Sequence, residues 1–279
     1  MLLASNEKDL DFRWTQYVLA RPEPVESKIA SAYGLDKSIL GLIASGICNN
    51  KKEVLDFIKN TFLGYSFRSQ SSEQVRTQFD KSIDLVLNSL IEKELVYDKD
   101  GTITISDLGQ RCAEELVSPS STSFLISIIK QNEKLITENY ENLTETFIHL
   151  CCHCDDASRA LLFEPKSTEE IKELEAYWSV NSKSFLIESE TSEKFRRTLK
   201  TTRMIMKWIE GVPFNELRQY ASHGIIKKNA EQMSWLLRAI SRFIKAPVTN
   251  LDDSVSDFLE ELSERIFFVV TSSALEIMS

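Results

Sequence analysis

Two groups of residues in this chain have the types and spacing from which chemistry is made. The first is Cys151-Cys152-His153-Cys154, with His149 one helical turn earlier and Asp155-Asp156 immediately after. Thiolates and imidazoles hold zinc, but structural zinc sites pair their ligands across a few intervening residues and draw a second pair from elsewhere. Here the ligand types are adjacent, and Cys48 and Cys112 stand alone in the sequence. No metal site is therefore expected. The run reads as a buried helix that uses cysteine as a small hydrophobe, with Cys151 and Cys154 on a face with Phe147 and Leu150.

The second group is cationic. Between 194 and 245 the positions Lys194, Arg196, Arg197, Lys200, Arg203, Lys207, Arg218, Lys227, Lys228, Arg238, Arg242 and Lys245 are opposed only by Glu210, Glu216 and Glu231. That local excess of positive charge sits in a chain whose formal net charge is -9. Whole-chain charge argues against a polyanion partner, but a polyanion responds to the local field. At helical periodicity, Ala230, Met233, Leu236, Leu237, Ile240, Phe243 and Ile244 fall on one side of a helix over 225–245. Lys228, Gln232, Trp235, Ala239 and Arg242 fall on the other. A tryptophan among cations can stack on a base while the cations take phosphates. Packing of Trp235 into another helix is the competing reading, and the pattern leaves both open. Trp208 reads as ordinary core.

Other chemistries find no support in the sequence. There is no GxxxxGK[ST] loop, no glycine is followed by lysine, and neither a DExH-type box nor GxGxxG occurs. No Ser-His-Asp or Cys-His set stands out. The chain should neither bind nor hydrolyse ATP by itself.

The elements that must position these residues are helical. Only 8 glycines and 6 prolines serve 279 residues, which favours long helices over a turn-rich β fold. A hydrophobic content of 42% is enough to fill a core, and five cysteines, an odd number with three crowded together, fit reduced thiols in a cytoplasmic protein. No apolar run approaches the ~20 residues that span a bilayer.

Residues 1–33 read as a strand-like start followed by an arm, with Pro22 and Pro24 disfavouring helix. Over 34–117 the spacing predicts a helix from Asp36 to Ser45 stopped by Gly46. A second helix starts near Asn50, with a capping box to Glu53, and is closed by Gly64. A third runs from about Ser72 to Lys93. Leu95–Tyr97 and Thr102–Ile105 then flank a hairpin turn at Asp100-Gly101, and Ser106 caps another helix. Three helices and a small hairpin are the order of a winged helix-turn-helix. From 118 on, helices are expected over 122–133, 139–152, 167–177, 191–209, 213–222, 225–245 and 254–268, an all-α bundle. The fold class is mainly α: a winged helix with a hairpin wing, then a helical bundle.

The order of these segments resembles the C-terminal half of Ski-two-like superfamily-two helicases, with archaeal fork-remodelling DNA helicases and the helicase region of polymerase theta as the nearest likenesses. Arg21-Pro22-Glu23-Pro24-Val25-Glu26-Ser27-Lys28 is similar to the linker that leaves the second motor domain. Ile39 to Gly46 and Glu53 to Phe62 resemble the first two winged-helix helices. Ile105-Ser106-Asp107-Leu108-Gly109 resembles the step after the wing, and Ser118-Pro119 resembles an Asp-Pro exit into the ratchet domain. Lys207-Trp208-Ile209-Glu210 and Gly224-Ile225-Ile226-Lys227-Lys228 through Trp235-Leu236 resemble the helix before the ratchet helix and the ratchet helix itself. Two positions depart: Ile225 replaces an aspartate, and Lys228 replaces an arginine that works with the tryptophan.

The resemblance implies a linker or arm over 1–33, a winged-helix domain over 34–117 and a ratchet domain over 118–279. It implies a fragment whose motor domains, with their ATP and magnesium, lie outside it. Single-stranded nucleic acid, DNA in the first place, would run along the ratchet helix. Trp235 would stack on a base, Lys228 would hold the backbone, and Lys227, Arg238 and Arg242 would assist. The winged helix would brace the motor, since a third helix bearing Glu73, Asp80 and Asp84 is too acidic to read a major groove. A winged-helix regulator of duplex DNA, or a protein-interaction module, is the alternative. Asp98 and Asp100 in the wing count against the former, and the cationic stripe counts against the latter.

Overall fold

The computed structural model describes residues 6–19, 27, 34–70, 73–165, 167–187 and 192–269. The expected strand at Met1–Ala4 and most of the Arg21–Lys28 linker lie outside the described residues. The first described element is α1 (Glu7–Arg13), capped by the Asn6 side chain and continued by a wider helical turn over Trp14–Val18.

The winged-helix part begins with α2 (Leu35–Ala44), which buries Ile39, Leu40 and Ile43. Next, α3 (Lys51–Lys59) opens on Asn50, whose side chain accepts from the Glu53 N–H, while Glu53 reaches back to the Asn49 N–H at 2.7 Å. The expected closure of this helix at Gly64 is wrong. It ends at Lys59, and a further helix, α4 (Phe62–Gln70), starts three residues later with Gly64 inside it. A Cβ at Gly64 would lie 2.4 Å from the Lys59 carbonyl oxygen, so this glycine serves close packing rather than termination. Among the described residues from 34 on, four helices, not three, therefore precede the wing. The fourth, α5 (Glu73–Glu92), buries Phe79, Ile83, Leu87 and Leu90. Its acids Asp84 and Asp80 take Lys51 and Lys59 of α3 at 2.7 and 3.0 Å.

Strands β1 (Val96–Lys99) and β2 (Thr102–Ile105) pair antiparallel, with Val96 opposite Ile105 and Lys99 opposite Thr102. Asp100 and Gly101 both take positive φ, as a two-residue type I′ turn requires. The hairpin is tied to the α2–α3 loop by Ile103 N–H donating to the Asn49 carbonyl at 2.8 Å. Ser106 caps α6 (Asp107–Glu114) as expected. A Cβ on Gly109 would fall 1.9 Å from the Leu95 carbonyl oxygen, so only glycine lets α6 lie against the base of the wing.

Beyond Ser118, which caps α7 (Pro119–Gln131) with Pro119 in the first turn, the chain is helical. The expected helix over 139–152 is shortened to α9 (Thr144–Cys152), and a helix that was not expected, α8 (Glu133–Asn139), precedes it across a tight turn at Tyr140–Asn142. The break lets the Tyr140 ring meet Phe258 edge-on at 5.6 Å. Then come α10 (Thr168–Asn181) and α11 (Glu193–Ile209). The expected helix over 213–222 is only a single turn, α12 (Phe214–Leu217), after Pro213. The two last helices, α13 (His223–Ile244) and α14 (Asp253–Phe268), pack along each other. Ser234 and Ser263 touch at 3.0 Å between hydroxyl oxygens, small side chains at a close crossing. One apolar core runs from Ile39 in the winged helix to Ile266 in α14, so the winged helix and the bundle are packed on each other rather than strung in line. Among the described residues, no helix is long and apolar enough to cross a membrane.

Candidate nucleic-acid interface

The geometry of α13 follows from its sequence. Ile226, Ala230, Met233, Leu236, Leu237, Ile240, Phe243 and Ile244 are buried, as the periodicity requires. Lys227, Lys228, Arg238 and Arg242 are exposed on the other side, with Trp235 half-buried among them. The five residues singled out from sequence thus share one helix face.

The structure adds what the sequence did not contain. The Trp235 indole N–H donates to the carbonyl oxygen of Glu115, at the end of α6, at 2.9 Å. Trp235 is therefore wedged between the bundle and the winged helix, with part of its ring open. The competing reading, that it packs on another helix, holds for its N–H edge. Arg238 approaches the Glu115 carboxylate at 3.8 Å, and Arg242 approaches Glu260 of α14 at 3.3 Å. Lys227 faces Glu231 at 3.8 Å on the same helix. Among the described residues Lys228 is exposed and has no carboxylate partner within salt-bridge distance. It is the least neutralised charge of the face.

The excess of positive charge over 194–245 is likewise largely cancelled by acids distant in sequence. Arg196 meets Glu164, Lys200 meets Glu170 at 2.6 Å, and Arg203 meets Glu173 at 3.2 Å. Lys207 lies over the Tyr220 ring and Arg218 over Phe214. The α11 cations thus hold α10 through Glu170 and Glu173, and the segment before it through Glu164. The cationic face left for a ligand is the narrower one of α13. Trp208 is core, as expected, with its indole N–H on the Ile266 carbonyl at 3.0 Å.

Asp156 was missed at the sequence level, where it counted only as a possible metal-ligand type. Its carboxylate receives Lys37 of α2 at 2.7 Å, and both the N–H and the hydroxyl of Ser118 at 2.9 and 2.5 Å. Burial alone would raise its pKa. The hydrogen bonds from Lys37, Ser118 and Ser121 outweigh that, and the carboxyl is held below its usual range. The Gln232 amide of α13 reaches the Asp156 carbonyl at 3.4 Å. No local pattern signals this residue, because its partners come from three separate elements.

The cysteine run lies in the core. Cys151, Cys152 and Cys154 are buried, and burial pushes all three thiols up, Cys152 to about 12. The helix carrying them ends at Cys152, so Cys154 follows it rather than sharing it. Beside them, the His149 and His153 rings meet edge to face with nitrogens 3.2 Å apart. Phe185, Phe195 and Trp178 surround them. Burial pushes both imidazoles down, His153 to about 4.

Comparison with known proteins places these features. The family described as "Archaeal helicase, domain 4" matches residues 145–267, and a helix-turn-helix domain family matches residues 2–97. The chain is 27% identical over its whole length to the ATP-dependent DNA helicase Hel308 of Methanocaldococcus jannaschii, of which it covers 21%. It is 24% identical over its whole length to Hel308 of Methanococcus vannielii, covering 40% of that protein. Over 94% of its length it is 23% identical to Hel308 of Pyrococcus abyssi, covering 35%. The chain thus spans less than half the length of the curated relatives it matches. By sequence the chain is similar to archaeal Hel308 helicases, with a helix-turn-helix match over 2–97 preceding an archaeal-helicase-domain match over 145–267.

Proposed function

We propose that this chain is the non-motor C-terminal part of an ATP-dependent DNA helicase, and that it guides single-stranded DNA along the exposed face of α13. In this reading 34–117 is a winged-helix domain that braces the motor, and 118–279 is the ratchet domain. Lys228 holds a phosphate, the open part of Trp235 stacks on a base, and Lys227, Arg238 and Arg242 extend the cationic track. The observation that carries the reading is the joint placement of Lys228 and Trp235, two turns apart on one face of a 22-residue helix, in a chain whose relatives are DNA helicases. A lysine serves as a point charge toward phosphate, without the planar fork of arginine.

ATP and magnesium belong, in this reading, to motor domains of the same cytoplasmic parent protein. The sequence has no phosphate loop, and among the described residues no group of three His, Cys, Asp or Glu side chains is placed to hold a metal ion. No nucleotide chemistry is assigned to this chain's residues.

Fluorescence anisotropy with single-stranded and duplex oligonucleotides at several salt concentrations tests the reading. Trp235→Ala should weaken single-strand binding by roughly ten-fold. Lys228→Ala should weaken it for all sequences alike and reduce the salt slope by about one counterion. In an enzyme that includes the motor domains, Trp235→Ala should impair unwinding more than ATP hydrolysis. Unchanged strand binding by both variants sinks the reading.

A further inference from the structure

Beside the Ser234–Ser263 crossing, α13 and α14 enclose a groove of about 500 Å³. Its apolar part is the pair Phe267 and Phe268 at the end of α14, 54% and 51% exposed, with rings edge to face at 5.0 Å. A single exposed aromatic needs no explanation, but two adjacent ones lining a cleft make an apolar contact surface. Charge decides what can lie on it. The arginines of the α13 wall are already matched: Arg238 faces Glu115 at 3.8 Å, and Arg242 faces Glu260 at 3.3 Å. The acids of the α14 wall are not. Glu261 and Glu264 line the groove, and Asp257 lies one turn before Glu261. All three are exposed, and among the described residues none stands within salt-bridge distance of a cation. At helical periodicity Asp257, Glu261, Glu264 and Phe268 fall on one line of α14.

We propose that this groove docks a partner protein through a cationic amphipathic helix. The partner's basic residues lie along Asp257, Glu261 and Glu264, and one large apolar side chain lies against Phe267 and Phe268. The uncompensated charge of the groove is negative, so it repels phosphates and attracts lysine and arginine. Carboxylates at i, i+4 and i+7 match cations repeated at the same interval on a helix laid alongside, because both sets recur once per turn. The two kinds of contact divide the work. Exposed ion pairs contribute little each, so the acids chiefly select and steer the partner. The phenylalanines, once covered by an apolar side chain, supply the anchor in which binding energy concentrates. Lys228 and Trp235 do not line this groove, so the inference does not rest on α13 carrying a strand.

The test uses the 279-residue chain and a labelled, alanine-based helical peptide of about 15 residues, with lysines at i, i+4 and i+7 and a leucine at i+11. A second peptide has serine for the leucine, and a third has glutamates for the lysines. By fluorescence anisotropy the chain should bind the first peptide in a salt-sensitive way and ignore the third. The double substitution Phe267→Ala and Phe268→Ala should weaken the leucine peptide about ten-fold and the serine peptide little, since only the former has an anchor to lose. Glu261→Lys with Glu264→Lys, both at exposed positions, should weaken both lysine peptides about ten-fold and flatten the salt dependence. Glu169→Lys with Glu175→Lys makes the same charge change on exposed positions of α10 and should leave binding unaltered. The inference is overturned if the parent chain does not bind the leucine peptide, or if the α10 pair loses as much affinity as the α14 pair. It is also overturned if the alanine pair treats the leucine and serine peptides alike. Loss of oligothymidylate binding by the alanine pair would make the groove a nucleic-acid surface and overturn it as well.

Discussion

Trp235 has two edges with different tasks. Its N–H is bonded to a backbone carbonyl of the winged helix, and such a bond contributes about 1 kcal/mol net when made. Its ring packs against the core while part of it stays open. These roles separate in Trp235→Phe, which keeps an aromatic face and removes the donor. That variant should retain most single-strand affinity and lose about 1 kcal/mol of stability in urea unfolding. Trp235→Ala should lose affinity and a larger amount of stability, because it also vacates the interface. A phenylalanine variant with intact stability would mean the Glu115 contact contributes nothing. One that loses strand binding as fully as alanine would mean the indole edge, and not the stacking face, is what the strand reads.

At the scale of elements, α10 is held to the bundle by a small aromatic cluster and by ion pairs. Leu174, Phe185, Phe195 and Leu199 form a core of their own beside His149 and His153. Both imidazoles are neutral in the folded protein, with pKa values held below 6.5, that of His153 at about 4. The unfolded chain therefore binds more protons than the folded one once the pH falls below about 6.5. This contribution to stability is fully present above that pH and is lost progressively down toward pH 4. Denaturation followed through Trp178 fluorescence should show that slope, and His149→Phe should make it shallower. A flat profile between pH 6.5 and 4 would place the histidines in contact with water in the folded state.

For the whole molecule, Asp156 is the polar joint. It binds α2 of the winged helix through Lys37 and the cap of α7 through Ser118, and its own carbonyl receives Gln232 of α13. Asp156→Ala strands Lys37 and the Ser118 N–H at a half-buried site, which should cost about 2 kcal/mol, reduced from the buried-pair range because Lys37 is part-exposed. With its folded pKa depressed, the stabilisation from Asp156 is present above the ordinary carboxylate value of 3.8 and disappears as pH falls through the lower folded value. Urea unfolding of Asp156→Ala at neutral pH checks the size. If it melts like the parent, the joint lies in the apolar interface alone.

How much of this was legible beforehand depended on the range of the interaction. The spans of α2, α5, the hairpin, α13 and α14 and the start of α6 followed from periodicity, caps and turn chemistry, which are local along the chain; Leu116, expected inside α6, lies beyond its end at Glu114. So did the exposed face carrying Lys227, Lys228, Trp235, Arg238 and Arg242, since helical geometry alone sets which residues share a side. The break at Tyr140–Asn142, the extra helix at Phe62–Gln70 and the role of Gly64 escaped because each answers to a neighbour from elsewhere, such as Phe258 for Tyr140. The same cause corrected the charge of the 194–245 stretch. Summed along the sequence it is strongly basic, but in space Glu115, Glu164, Glu170, Glu173 and Glu260 stand against its cations. Sequence by itself determined which of the α13 cations face outward, because backbone geometry repeats every few residues, although Ala239, expected on the same side, is buried in the core. Only the tertiary structure decided which outward charges meet a partner among the described residues and which, like Lys228, do not, because Coulomb attraction acts through space and ignores separation along the chain.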